Sequence, residues 1–276
     1  GNDDGSYIEL FQKSANYTPG QGEQCYEWWF TEDGSPSVYS AMQELFRANY
    51  PPYAVVLTSD LYFGGYDDSL CVSGAKAYHP FDFNSENGVI LTSFGSSQYT
   101  INGVCYQGGA SEASFSGNLF TTVQYVNFDN LHLESQTSAG LFSFNVGTAV
   151  VQSVRVSHSV VMAPVAGTLA GAIGSIAISG FSGNSITVNA IPKYDDGESF
   201  YVNEVNIGSL VGYCSELSVS TTRIDSVNVV YQPVSGRSYL DAALPDGKAY
   251  VGGLVGSVAD IDGIEKDELV NLHQVG

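Results

Sequence analysis

Four short phrases decide how this chain reads: Ala139-Gly140-Leu141-Phe142-Ser143, Gly167-Thr168-Leu169-Ala170-Gly171, Gly208-Ser209-Leu210-Val211-Gly212 and Gly252-Gly253-Leu254-Val255-Gly256. Each opens a stretch of alternating β-branched residues. Spaced self-similarity of this kind marks a solenoid, whose coils stack because no single coil can bury its own apolar face. The phrase leucines lie 28, 41 and 44 residues apart. A coil of three short strands and three turns uses roughly 20 to 30 residues. Taking 28 as one coil leaves excesses of 13 and 16 residues. Two polar, turn-rich stretches account for them, near 192–201 and 232–248, and both read as loop excursions from the coil, where function concentrates. The leucines are expected at equivalent inward positions, and the glycines at tight corners beside them.

Outward from the phrases, the chain is rich in alternation. Val89, Leu91, Ile101, Val123, Tyr125, Val126, Phe128, Leu131, Leu133, Val150, Val154, Val156, Ile176, Ile178, Ile186, Val188, Leu217, Val219, Val227 and Val229 follow strand periodicity and aim one side at a core. Ser35 as N-cap, Pro36 at the first helical position, and Val38, Met42, Leu45 and Phe46 on one face predict a single helix over 36–48. That helix and the aromatic run Tyr26-Glu27-Trp28-Trp29-Phe30 suit a cap that plugs an open solenoid end.

Composition agrees. The chain has 276 residues, 43% hydrophobic, with 31 Gly and 18 Tyr but only 14% charged residues, which suits short strands and turns over helical bundles. The formal net charge of −20 repels phosphate backbones and anionic lipid heads, so nucleic acid and membrane surfaces are poor partners. No apolar run is long enough to span a bilayer. Cys25, Cys71, Cys105 and Cys214 lack the close spacing of a zinc cage. They allow three full disulfide pairings, of which Cys71 with Cys105 is favoured.

The chemistry-bearing residues name no reaction. His132 and His158 are expected to point outward from strands, and Arg155, Arg223 and Arg237 to stand away from any acidic ladder. Asp195 and Asp196 fall in a Tyr-Asp-Asp-Gly turn, and adjacent residues do not converge on one substrate. Asp260-Ile261-Asp262-Gly263 begins like a calcium loop, but its glycine stands fourth where an EF-hand needs it sixth. No cofactor is implied, and an isolated oxygen-ligated Ca²⁺ is the one metal the acids leave open. No nucleophile elbow, phosphate loop or dinucleotide fingerprint is present. What remains is surface: Tyr194, Asp195, Asp196, Tyr201, Tyr231 and Tyr239 in and around the excursions are the candidate binding residues, since tyrosine offers contact area at low conformational cost.

Gly253-Leu254-Val255-Gly256, Ser209-Leu210-Val211-Gly212 and the degenerate Gly140-Leu141-Phe142-Ser143 resemble the GLUG repeat of secreted and cell-surface bacterial proteins. Tyr53 to Leu61 and Ser97 to Val104 are similar to the segments that introduce such domains. The resemblance covers about residues 36 to 275 and implies a right-handed parallel β-helix of the pectin-lyase-like type. The expected architecture is therefore all-β: residues 1–52 as tail and helical cap, and 53–276 as the β-helix with its two excursions. A left-handed coil and a β-sandwich stay open as alternatives. Asn2 to Ser6 resembles the acidic tether behind the lipidated cysteine of Bacteroidetes-type surface lipoproteins, which implies a secreted or outer-surface location with a lipid anchor before residue 2. Asp68-Ser69-Leu70 and Asp225-Ser226-Val227 resemble an O-glycan acceptor pattern of the same exports. The expected role is an adhesin-like binding or structural module that recognises a glycan or a protein partner. The alternatives are a carbohydrate-active enzyme, a polysaccharide lyase or glycoside hydrolase, on the same scaffold, and a purely structural stalk.

Overall fold

In the computed structural model the described residues are 54–62, 88–190, 204–231 and 248–258, with the short strands Phe11–Lys13, Glu27–Phe30, Tyr66–Asp67, Leu70–Cys71 and Val270–Val275. They are nearly all β-strand, and most of the strands join one large parallel sheet. The only antiparallel pairs among them are Phe11–Lys13 with Glu27–Phe30, and Tyr66–Asp67 with Leu70–Cys71. The helix expected over 36–48 lies outside the described residues. Glu27–Phe30 is a strand that pairs in parallel with Ala54–Leu57.

The chain runs through the same four ladders in the same order, pass after pass. The first ladder stacks Ala54–Leu57, Val89–Ser93, Phe120–Gln124, Thr148–Gln152, 175–179, 216–220 and Val270–Val275. The second stacks Leu61–Tyr62, Tyr99–Asn102, Val126–Asp129, 155–157, 182–184 and 223–225. The third stacks Cys105–Gln107, His132–Glu134, 160–162, 187–189 and 228–230. The fourth stacks Ala113–Ser114, Ser138–Gly140, Val165–Ala166, Glu204–Gly208 and Lys248–Gly252.

Two left-handed residues turn each of the four passes that begin at 120, 148, 175 and 216. Tyr125, Ser153, Gly180 and Thr221 stand between the first and second ladders with φ of 57°, 51°, 74° and 50°. Asn130, His158, Ser185 and Ser226 stand between the second and third with φ of 52°, 45°, 54° and 54°. A non-glycine residue in this region costs about 1–2 kcal/mol. The ladder offsets it, because the corner amides still donate to the next pass: Tyr125 N–H to Gln152 O at 2.9 Å and Ser153 N–H to Ser179 O at 2.8 Å.

Each corner resets the side-chain alternation. Inward positions therefore follow offsets of 0, 3, 5, 8 and 10 residues, as in Val123, Val126, Phe128, Leu131 and Leu133, all at most 1% exposed. Val151, Val154, Val156, Ser159 and Val161 repeat the pattern, as do Ile178, Phe181, Gly183, Ile186 and Val188. The buried Ser159 hydroxyl donates to Ser157 O at 2.6 Å and accepts the Leu131 N–H at 3.1 Å, which satisfies a polar group inside the core. Simple alternation misplaces two residues: Val150 and Tyr125 are exposed, and Val151 is the inward residue of its strand.

Leu141, Leu169 and Leu210 are fully buried and occupy equivalent positions, since their successors Phe142, Ala170, Val211 and Val255 pair in series. The glycines of the phrases do a different job from the one expected. None of Gly140, Gly171, Gly208, Gly212 or Gly256 has positive φ. A Cβ on Gly140 would lie 2.5 Å from the Ala170 Cα, and one on Gly212 2.5 Å from both Asn206 O and Gly171 O. Glycine is required here because backbones of neighbouring passes close on one another, not because the chain turns.

Candidate functional site

The second ladder turns two polar columns to solvent. Val126 and Phe128 point into the core, so the residues between and beyond them point out. One outward column is Thr100, Asn127, Arg155, Ser182 and Arg223; the other is Asn102, Asp129, Ser157, Asn184 and Asp225. Register places one member of each column on every pass, about 4.8 Å from the next.

Asp129 organises this face. Its Oδ1 accepts from Ser157 Oγ at 2.8 Å and faces His158 Nδ1 at 2.8 Å, and its Oδ2 accepts from Asn102 Nδ2 at 3.2 Å. One carboxylate thus ties three successive passes together. With Ser157 and Asn102 donating to it, Asp129 is the acceptor and His158 Nδ1 donates. Nε2 is then the free nitrogen of a side chain that is 62% exposed. His158 holds this position from a left-handed backbone, a conformation that its neighbours on the same corner share.

Arg223 pairs with Asp225 at 2.6 Å on the last of these passes; both side chains are well exposed, so the pair orients groups more than it adds stability. Arg155 and Arg223 stand in the column beside Asp129 and Asp225. That neighbouring column holds only two acids, Asp129 and Asp225, with Ser157 and Asn184 between them, so it is not an acidic ladder. Arg237 lies outside the described residues. Ser226, of the Asp225-Ser226-Val227 tripeptide, is exposed on the corner.

The third ladder carries a second polar group, in which His132 does turn away from the core, as expected, but not to solvent. Leu133 faces the core, so His132 and Glu134 face the opposite side of the strand, yet they are 1% and 0% exposed. The outward side of this strand is therefore covered. His132 Nε2 lies 3.2 Å from Glu134 Oε2, which also accepts from Gln107 Nε2 at 3.2 Å. Cys105 shares the His132 column and is disulfide-bonded, while Cys214 is a buried free thiol. Leu70–Cys71 packs against Cys105–Gln107, which brings the strand carrying Cys71 to the strand carrying Cys105.

The two stretches expected as loop excursions both fall within one step, from the third ladder to the fourth. That step takes three residues between Glu134 and Ser138 and two between Met162 and Val165. It takes 14 between Asn189 and Glu204 and 17 between Val230 and Lys248. Of the candidate binding residues, Tyr231 stands at the foot of the second excursion, half-buried against the end of the core. Tyr194, Asp195, Asp196, Tyr201 and Tyr239 lie outside the described residues, as does Asp260-Ile261-Asp262-Gly263. Among the described residues no three metal-ligating side chains cluster, and no helix is long and apolar enough to cross a membrane.

No protein-family model, curated protein or solved structure matches this chain.

Proposed function

We propose that the chain is an exported, cell-surface binding module that recognises a glycan, built on a right-handed parallel β-helix. The ladders recur in fixed order, and parallel strands joined across a sheet cross over right-handed in about 98% of cases. The GLUG-like phrases and the net charge of −20 fit an extracellular setting. The observation that carries the binding reading is the Asp129 hub. It holds a half-buried carboxylate, hydroxyl and amide beside an exposed imidazole, with Arg155 in the next column. Hydroxyl-rich ligands are recognised by such fixed, convergent polar groups on rigid elements.

The alternative reading, a carbohydrate-active hydrolase, fits the wall less well. Asp129 and Asp225 share a column but are separated by Ser157 and Asn184, three passes or about 14 Å. A pair of hydrolytic carboxylates works at about 5 to 9.5 Å. The binding reading predicts that an immobilised glycan panel retains the protein and that Asp129→Ala and Arg155→Ala each weaken retention at unchanged fold. Retention unaffected by either variant, or hydrolysed or unsaturated sugar products in solution, would overturn it.

A further inference from the structure

Tyr125 is the outlier of its corner. The column between the first and second ladders is otherwise Ser153, Gly180 and Thr221, all much smaller. Tyr125 puts an aromatic side chain on a left-handed backbone, with φ of 57°, where a bulky residue is costly. The ring gains little burial in return, since it is 38% exposed and stands outside the core cluster. Strain kept at an exposed aromatic argues for a function at that place.

Two carboxamides bracket the ring. Gln152, on the next pass, donates from Nε2 to the Tyr125 hydroxyl at 2.9 Å, which holds the ring on the surface. Register puts Gln98 opposite Tyr125 on the previous pass, and its Nε2 reaches past Tyr125 to Ser153 O at 3.1 Å. Both amides are thus fixed through nitrogen, and their oxygens stay available to accept. Asn127, the next outward residue beyond the corner, donates to Gln98 O at 3.2 Å. That bond joins the bracket to the face that carries Arg155 and Asp129.

We propose that Tyr125, Gln98 and Gln152 form a second sugar subsite, and that the ligand is a linear oligosaccharide of pyranose units lying along the passes from Tyr125 to Asp129. This rests on the glycan reading of the Asp129 hub. A pyranose has an apolar C–H face and a rim of hydroxyls, so its face packs on an aromatic ring while its rim meets amide groups. Tyr125 and Asp129 are four residues apart on one pass, about 13 Å. A single sugar ring does not reach both, so linked units are required. The bond to Gln152 sets the platform before the ligand arrives, which limits the freedom lost on binding.

The test uses the full chain on a printed panel of linear glucan, xylan, mannan, galactan and chitin fragments, each as disaccharide and tetrasaccharide. In the series that retains the protein, the tetrasaccharide should bind more tightly than the disaccharide. Tyr125→Gly should weaken the tetrasaccharide about tenfold, to the level of the disaccharide. Its thermal midpoint should equal or exceed that of wild type, because glycine suits the left-handed corner. Tyr125→Phe keeps the ring and should keep most of the affinity. Full tetrasaccharide binding by Tyr125→Gly, alongside loss in Asp129→Ala, overturns the subsite and leaves the hub standing. A phenylalanine variant as weak as the glycine variant overturns the stacking contact, and a glycine variant less stable than wild type makes the ring structural and overturns the proposal. Retention indifferent to Tyr125, Asp129 and Arg155 alike, or absent from the whole panel, overturns the glycan reading and the subsite with it.

Discussion

Glu112 on one pass receives the Ser143 hydroxyl of the next at 2.6 Å and the Phe144 N–H at 3.0 Å. The contact caps the single turn of 3₁₀ helix at Phe144–Val146, whose Ser143 hydroxyl in turn accepts the Asn145 N–H. Burial raises the Glu112 carboxyl above its usual 4.5, and the hydrogen bonds only partly counter it. The folded state therefore holds more protons than the unfolded state between 4.5 and the raised value. Stability falls as pH rises through that window and is constant above it. Glu112→Gln should remove this slope. Urea midpoints of both proteins, measured from pH 4.5 to 7, should show wild type losing ground to the variant; a constant difference across the range would refute desolvation as the cause.

His158 separates backbone strain from side-chain bonding. A glycine there loses the Asp129 bond but relieves the left-handed strain, two effects of about 1 kcal/mol each that oppose one another. His158→Gly should unfold near the wild-type temperature. His158→Val loses the bond and keeps the strain in its worst form, and should cost about 2 kcal/mol or more. Calorimetry on the pair decides the point: equal destabilisation of both would show that φ at this corner is not costly.

The phrase glycines allow an equally direct comparison. Gly212→Ala pushes a Cβ into three backbone groups, Asn206 O, Gly171 O and the Ala166 N, none of which can move without opening the ladders. A loss of about 1–3 kcal/mol is expected. Gly253, in the fourth phrase, has open space around its would-be Cβ and no positive φ. Gly253→Ala should be neutral or gain up to about 1 kcal/mol. Thermal denaturation of the two single variants tests whether close approach explains the motif.

The thiols should behave oppositely. Burial pushes the Cys214 thiol up to about 12, and thiolate is the reactive form. A maleimide should leave Cys214 unmodified in native protein at pH 8 and label it on denaturation. Intact-mass analysis of Cys25→Ser and Cys71→Ser proteins should show the Cys105 bridge lost only in the second, since the strand carrying Cys71 lies against Cys105–Gln107. Loss in Cys25→Ser alone would reverse the assignment.

Much of this architecture is legible in the residues, because leucines at Leu141, Leu169 and Leu210 must be buried somewhere and recur at one place in each pass. The extra length between the later passes was legible for the same reason: residues added between fixed positions lengthen the step that joins two strands. The corners were not. Asn130, His158, Ser185 and Ser226 share a backbone conformation but little chemistry, so nothing in their identities announces it. Without them, the offsets of 0, 3, 5, 8 and 10 dissolve into imperfect alternation, and Val150 and Tyr125 appear to face inward. The polar wall was hidden by the same omission. Asn102 and Ser157 lie 27 residues before and 28 residues after Asp129, and only the corner count brings them into register. The burial of His132 was hidden differently, since alternation says which side of the strand faces away from the core but not whether that side meets solvent.

The step from the third ladder to the fourth accepts 2, 3, 5, 14 or 17 residues, while from Phe120 onward the left-handed corners stay in register with their neighbours. The scaffold thus separates a part that must keep count from a part that need not. Lineages could vary the loops at that one edge without renegotiating the core. The same edge is a mounting rail for engineering: foreign loops grafted on consecutive passes would emerge side by side, at a spacing set by the backbone alone.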